Sequence, residues 1–287
     1  MKRITTILGA CLFLNTVQAQ QPVVDSSSAK PTSAEVVSTT EALTPTLQGL
    51  PKKQTPGKNI FKINLGSLAV KNYSFMYERA LGKHASIAVG YRFMPKGSLP
   101  LQSNINDIVG ENSVAINRVE IGNSAITGEF RWYPGKRGWM RGFYLAPYVR
   151  QASFDLSVPV DFSYTVTVPT PGGPVVVPRP NEATFTGKIT SFSGGLMLGT
   201  QYTFGKFITL DIWIIGGHYG SSNGDLTFRA ANALDAREQQ ELKAELDKIE
   251  FPTFKFESTV NANGGTVKST GGWAGLRGLG FNLGIRF

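Results

Sequence analysis

The chain has 287 residues, 41% hydrophobic and 17% charged, with a formal net charge of +9. A mean hydropathy of −0.08 excludes a helical membrane protein, and past the N-terminus no window approaches the ~18 consecutive apolar residues of a spanning helix. Abundant glycine and scattered proline among Val, Thr and aromatic residues point instead to an all-β protein.

Residues 1–19, MKRITTILGACLFLNTVQA, have two basic residues, an apolar stretch, and Val17 and Ala19 where a signal peptidase reads, the pattern of a cleavable secretory signal. Leu8-Gly9-Ala10-Cys11 loosely resembles a lipoprotein box, but the apolar stretch runs on past Cys11. Cys11 is the only cysteine, so cleavage after Ala19 leaves no disulfide, thiolate metal site or cysteine nucleophile. Residues 20–58 are rich in Ser, Thr, Pro and Val and contain no aromatic residue. Such a segment cannot bury enough apolar area to offset its ordering entropy, and reads as a disordered periplasmic tether.

From Asn59 onward, over 59–287, the dominant signal is alternation with period two, which predicts eight strands. Phe61, Ile63 and Leu65 oppose Lys62, Asn64 and Gly66; Tyr73, Phe75 and Tyr77 oppose Ser74, Met76 and Glu78; Ile87, Val89, Tyr91 and Phe93 oppose Ala88, Gly90 and Arg92. Ile126, Phe130 and Trp132 then oppose Thr127, Glu129, Arg131 and Tyr133, and Phe143, Leu145 and Val149 oppose Tyr144, Tyr148 and Arg150. Phe192, Leu196, Leu198, Tyr202 and Phe204 oppose Ser193, Gly195, Gln201 and Thr203, while Ile208, Leu210, Ile212 and Ile214 oppose Thr209, Asp211 and Trp213. In the last strand Leu279, Phe281, Leu283, Ile285 and Phe287 oppose Gly278, Gly280, Asn282, Gly284 and Arg286.

Periodicity does not say which face is inside. A lipocalin-like barrel turns its apolar face inward, whereas a transmembrane barrel turns it to lipid and fills its lumen with small and charged residues. The polar faces here mix Gly, Ser and Ala with charges of both signs, Lys62, Glu78, Arg92, Glu129, Arg131, Arg150, Asp211 and Arg286, which suits a narrow lumen of paired charges such as Glu78 with Arg92 and Glu129 with Arg150. Connections at 81–85, 134–141 and 205–206 are short, and those at 95–123, 158–187 and 219–272 are long; the first, at 67–71, is short but lies at the long-loop end. Phe61, Tyr77, Trp132, Phe143, Tyr202, Phe204, Phe207 and Phe287 fall toward the short-turn end, and Tyr73, Phe93, Tyr219 and Trp273 toward the other, as two interfacial belts require. The expected architecture is an eight-stranded antiparallel up-and-down transmembrane β-barrel with one short helix in the last external loop.

The closing strand ending in Phe287 resembles the C-terminal signature by which outer-membrane barrels are recognised for insertion. The runs FKINLGSLAVKNYSFMYERALGKHASIAVGYRF and GEFRWYPGKRGWMRGFYLAPYVR resemble the small outer-membrane barrels of unassigned function common in Bacteroidota, of OmpA/OmpX-like architecture. The resemblance covers about 59–287. It implies the cell outer membrane as location and a barrel-insertion machinery as a partner of the closing strand, and is almost silent on activity.

Chemistry-bearing residues are sparse. His84 falls in a short turn and His218 at the opposite end, so they cannot share a metal or a proton relay. Ser221, three residues after His218, is the nearest approach to the His and Ser of a lipid-acyl hydrolase. The Gly-Gly pairs at Gly194, Gly216 and Gly271 lack the Lys-Ser/Thr and helix start of a phosphate loop. No catalytic, cofactor-binding or metal residue is assigned. Residues 235–250 are expected to be helical, with an Asp235–Glu238 capping box and a Leu242, Leu246, Ile249 stripe over the barrel mouth. The hairpin at 158–186, turning at Pro171-Gly172-Gly173-Pro174, is expected to project beyond the bilayer with a free edge. These two external segments, 158–186 and 219–272, are where a protein partner is expected to bind. The short turns carry Lys83, Lys136, Arg137, Arg141 and Lys206 without an acid, suiting anionic headgroups, while 219–272 holds eight acids against six bases. An exported barrel excludes nucleic acid as a partner despite a pI near 9.6. The expected role is that of a monomeric surface scaffold, with a lipid-modifying barrel enzyme and a narrow channel as alternatives.

Overall fold

The computed structural model describes residues 57–98, 118–248 and 253–287. The expected signal with Cys11, the tether up to 56, the middle of the 95–123 connection, and Ile249 and Glu250 of the expected helix lie outside the described residues.

The chain is all-β, and the described residues form ten antiparallel strands and two helices. The strands are β1 (Asn59–Asn64), β2 (Tyr73–Ala80), β3 (Ala85–Ser98), β4 (Glu120–Trp132), β5 (Gly142–Thr170), β6 (Gly173–Phe204), β7 (Ile208–Ala230), β8 (Phe254–Asn261), β9 (Gly264–Arg277) and β10 (Gly280–Arg286). The helices are α1 (Leu65–Leu68), capped by the Asn64 side chain, and α2 (Ala236–Asp247). Consecutive strands from β1 to β7 pair side by side, and β10 pairs with both β7 and β1, so eight strands close into a ring. These are the eight strands that the alternation predicts. β8 and β9 are additional: the expected 219–272 loop is largely sheet, with β9 on β7 and β8 on β9. Their alternation is hard to see because the inward face is broken by Ser258 in β8 and by Gly265, Ser269, Gly271 and Gly275 in β9.

The ring's polar faces point inward and its apolar faces outward. Phe61, Ile87, Val89, Ile126, Phe130, Val149, Leu196, Leu198, Leu283 and Ile285 are exposed on the outside, while Lys62, Glu78, Glu129, Arg131, Gln201, Asp211 and Asn282 are buried inside. All eight aromatics expected at the short-turn end face outward there. At the other end Tyr73 and Tyr219 are exposed and Phe93 half-buried, but Trp273 is not part of a belt. It is buried inside, its ring 5.2 Å from that of Phe154.

Trp273 belongs to an upper region where the sense of the alternation reverses. β5, β6, β7, β9 and β8 run past the ring, and there the inward residues are apolar: Phe154, Leu156, Val158, Phe185, Ile189, Leu226, Phe228 and Val267 form one core with Trp273. Phe185 stacks on Phe228 with centroids 4.8 Å apart. The outward residues of these segments are polar. Asp155, Lys188, Asp225, Lys268 and Glu257 lie in register across five strands, a row of alternating charge, and Thr186, Thr227, Thr266 and Thr259 form a parallel row next to it. Cross-strand neighbours of opposite charge support the pairing, and a row of this kind belongs in water.

A bulge adjusts β7 between the two regions. Leu198 pairs with Ile215 but Gly199 pairs with Trp213, so Ile214 is an extra residue and both Ile214 and Ile215 face outward. At the same place β7 exchanges its partner, from β10 up to Trp213 to β9 from Gly216. Opposite it, the chain breaks between Arg277 and Gly280, and the inward parity changes from odd in β9 to even in β10.

Candidate functional site

The interior of the ring carries a continuous polar network that reaches across it from strand to strand. Arg131, on β4, is its hub: Nη1 donates to Asp211 Oδ2 at 2.7 Å and to Glu78 Oε2 at 3.3 Å, and Nη2 to Glu129 Oε2 at 2.7 Å. Lys62 on β1 pairs with Glu78 and, at 2.7 Å, with Asp211, and donates to Gln201. Tyr133 and Tyr144 donate their hydroxyls to Glu78 Oε1 and Asp211 Oδ1, each at 2.7 Å, and the Arg131 guanidinium lies 4.5 Å above the Tyr144 ring. Arg277 reaches the second oxygen of Glu129 at 3.0 Å and packs over the rings of Tyr148 and Trp213. Three carboxylates and three cations are thus matched, each carboxylate taking two or more partners. Buried pairs of this quality are costly to disrupt singly, because removing one member strands a charge away from water.

The expected lumen charges are largely brought together, with different partners. Glu78 pairs with Lys62 and Arg131, and not with Arg92, because Glu78 lies opposite Ala88 while Arg92 lies opposite Ser74, four residues up the strand. Glu129 pairs with Arg131 and Arg277 in place of Arg150, which lies opposite Thr127, one inward step away. Arg92 donates to Asn123 at 2.9 Å. Arg286 is buried at the base, where its Nε donates to the Gly57 carbonyl at 2.7 Å beside the closure of Asn59 on Phe287. Arg277 was missing from the sequence-based set: the parity break before β10 gives it the phase of an outward residue when the closing strand is read upstream from Leu279. Tyr133, Tyr144 and Gln201 fall on the polar faces of the alternation, which was the signal for them.

His84 sits at the short-turn end, its Nδ1 2.8 Å from the Tyr133 carbonyl. His218 faces inward at the other end of the ring, its Nδ1 3.1 Å from the Tyr148 hydroxyl. Gly275 makes room for it, since a side chain there would meet the imidazole at 2.6 Å. Ser221, three residues on, is exposed on the outer face of β7. An odd spacing on a strand separates faces, so the His218–Ser221 pair is not assembled. Among the described residues no group of three or more His, Cys, Asp or Glu is placed to hold a metal ion.

A second candidate site lies in the upper region. The Asp235 capping box forms as expected, with Glu238 N–H donating to Asp235 Oδ1 and Asp235 N–H to Glu238 Oε2, both at 2.8 Å. Leu242 and Leu246 of α2 are buried in the upper core with Leu234. Lys243 and Ser258 both donate to Asp247, and these hydrogen bonds hold its carboxyl below the usual aspartate range and tie α2 to β8. Beyond Ala183, where β6 leaves β7, and Ser157, where β5 leaves β4, the β5–β6 hairpin continues as a two-stranded ribbon to a turn at Pro171-Gly172. Near its tip Val168, Val175, Val176 and Val177 are exposed, the last three in succession and therefore on both faces. No protein-family model and no curated protein matches the chain.

Proposed function

We propose that the protein is an outer-membrane β-barrel that serves as a surface scaffold, presenting the β5–β6 ribbon and the α2–β8 cap outside the cell while its ion-paired lumen is plugged. The observation that carries the membrane reading is the simultaneous reversal of both faces at one level. Outward residues change from Val149, Leu196 and Tyr219 to Ser153, Thr190 and Asn223, while inward residues change from Arg150 and Ser193 to Phe154 and Ile189. An apolar exterior over a polar interior suits hydrocarbon, and the converse suits water, so this level marks the outer surface of the bilayer. Aromatics at both ends of the apolar band occupy headgroup depth. The basic short turns, with Lys83, Lys136, Arg137, Arg141 and Lys206, face the periplasm and the anionic inner leaflet.

An eight-stranded ring is narrow, and its lower interior is filled by the matched charges of Lys62, Arg131, Arg277, Glu78, Glu129 and Asp211, which favours a scaffold over a conductor. The valine-rich tip is the part of the ribbon suited to a partner, since a bare two-stranded edge accepts another strand by main-chain hydrogen bonding. The closing strand with Phe287 is the segment we assign to the barrel-insertion machinery.

Single cysteines test location and orientation together, because the processed chain has no other thiol. Val176→Cys on intact cells is expected to react with a membrane-impermeant maleimide, and Lys136→Cys only after permeabilisation. The folded chain is expected to migrate faster than the boiled one on a detergent gel. A protein that stays folded and dissolved without detergent would refute the reading.

A further inference from the structure

Above the matched network, at the level where both faces reverse, the ring interior holds a positive charge that the protein does not neutralise. Arg150 is only 8% exposed, and by register it faces inward between Thr127 on β4 and Ser193 on β6. Among the described residues its guanidinium makes no hydrogen bond or ion pair, and Glu129 and Tyr148 act on it only through space. The titratable groups around it are Arg92, Arg277, Tyr148, Glu129 and His218. Two of these are further guanidiniums, and the sole carboxylate, Glu129, is already divided between Arg131 and Arg277. Ser193, directly opposite Arg150, and Ser191, one inward step higher, are also buried with hydroxyls that find no partner. A buried guanidinium and two buried hydroxyls, each with a donor left unused, thus lie within one inward step of one another on β5 and β6.

Burying a cation without an ion pair is costly, and a site that sets two further guanidiniums, Arg92 and Arg277, beside Arg150 is completed most economically by an anion. The planar fork of Arg suits two oxygens of one ligand, and hydroxyls of Ser complete the shell of an oxyanion. We propose that the upper lumen binds a small free oxyanion of the phosphate or sulfate class, held by Arg150, Ser193 and Ser191 in the field of Arg92 and Arg277. The matched network lies beneath it, and Phe154, Trp273 and the α2 leucines lie above it, so the layer admits a small ion and not a headgroup with acyl chains.

The experiment is thermal unfolding of the full chain folded in a non-ionic, phosphate-free detergent, with chloride, sulfate or inorganic phosphate at matched ionic strength. Sulfate and phosphate are expected to raise the unfolding temperature saturably over chloride in the parent and to have no such effect in Arg150→Gln. In chloride alone Arg150→Gln is expected to unfold at a higher temperature than the parent, because it removes an unpaired buried charge, so the order of the two proteins reverses on adding sulfate. Ser193→Ala keeps the charge and should weaken half-saturation about tenfold, the worth of one charge-assisted hydrogen bond. A parent that responds to sulfate as to chloride, or an Arg150→Gln variant that responds as the parent does, overturns the proposal. If Arg150→Gln does not fold, Arg150→Lys takes its place: it lacks the two-pronged geometry, so weaker saturation supports the site and unchanged saturation overturns it. Short-chain phosphatidylglycerol at the same phosphate concentration separates the sources. No shift is expected, and a shift equal to that of inorganic phosphate overturns the assignment to a free ion.

Discussion

The lower ring and the upper cap are built from the same strands with opposite conventions. β5, β6 and β7 pass through both: below, their outward residues are Leu, Val and Phe and their inward ones Tyr, Arg and Asp; above, Asp, Lys and Thr face out and Phe, Leu and Val face in. The hydrogen-bonding pattern does not change along the way. On the proposed membrane reading what changes is the medium each face meets, so that alternation specifies a strand and its sense the solvent. The lower interior is held by charge matching and the upper one by apolar packing, and the two should fail differently.

The largest expected effect comes from the hub below. Arg131→Met leaves three buried carboxylates short of a partner and is expected to cost about 3–5 kcal/mol, read by urea unfolding of the detergent-folded protein. If the loss is under about 1 kcal/mol, charge matching does not hold the lower interior. The corresponding change above is Leu246→Ala, which opens a cavity under α2 and should cost about 2–5 kcal/mol while leaving the lower ring folded. Tryptophan fluorescence from Trp273 separates the two, since only the second variant disturbs its surroundings.

The outer faces sharpen the contrast further. Leu198→Arg, in the middle of the apolar band, is expected to destabilise the protein in bilayers by about 2–4 kcal/mol, whereas Thr227→Arg in the upper threonine row should change stability by less than about 0.5 kcal/mol. Equal costs for the two would remove the boundary between the regions. The smallest effect expected is that of Asp235→Ala, which deletes the α2 cap and should cost about 1 kcal/mol, visible as faster proteolysis near 236–247 before any loss of the ring.

The ring was legible in the sequence because its outward face is made of residues that alternate cleanly with Gly, Ser and charges. The cap was not, because inward Ser258 and Ser269 and outward Thr and Lys blur the contrast between faces, and turns at 262–263 and 278–279 interrupt the run. The identities of the lumen charges followed from parity, but their pairings did not. Glu78 and Arg92 share a face and adjacent strands, yet the register sets them four residues apart, and register comes from closing the whole ring. Trp273 was misplaced for a related reason: an aromatic residue at the right height marks a belt only if its strand keeps phase, and β9 is out of phase with β10.

In β7 the change of phase rests on one residue. Ile214 occupies a position that no partner residue matches, and every side chain after it is displaced by one place relative to the lower part of the strand. The bulge acts as a parity bit for the segment above: pairing β7 straight past Ile214, with no residue bulged, would shift the upper register by one and turn Leu226 and Phe228 to the outside and Asp225 and Thr227 to the inside. On the proposed membrane reading, β7 passes from one solvent to the other by counting, keeping apolar residues at even positions, Leu210 and Ile212 below and Leu226 and Phe228 above.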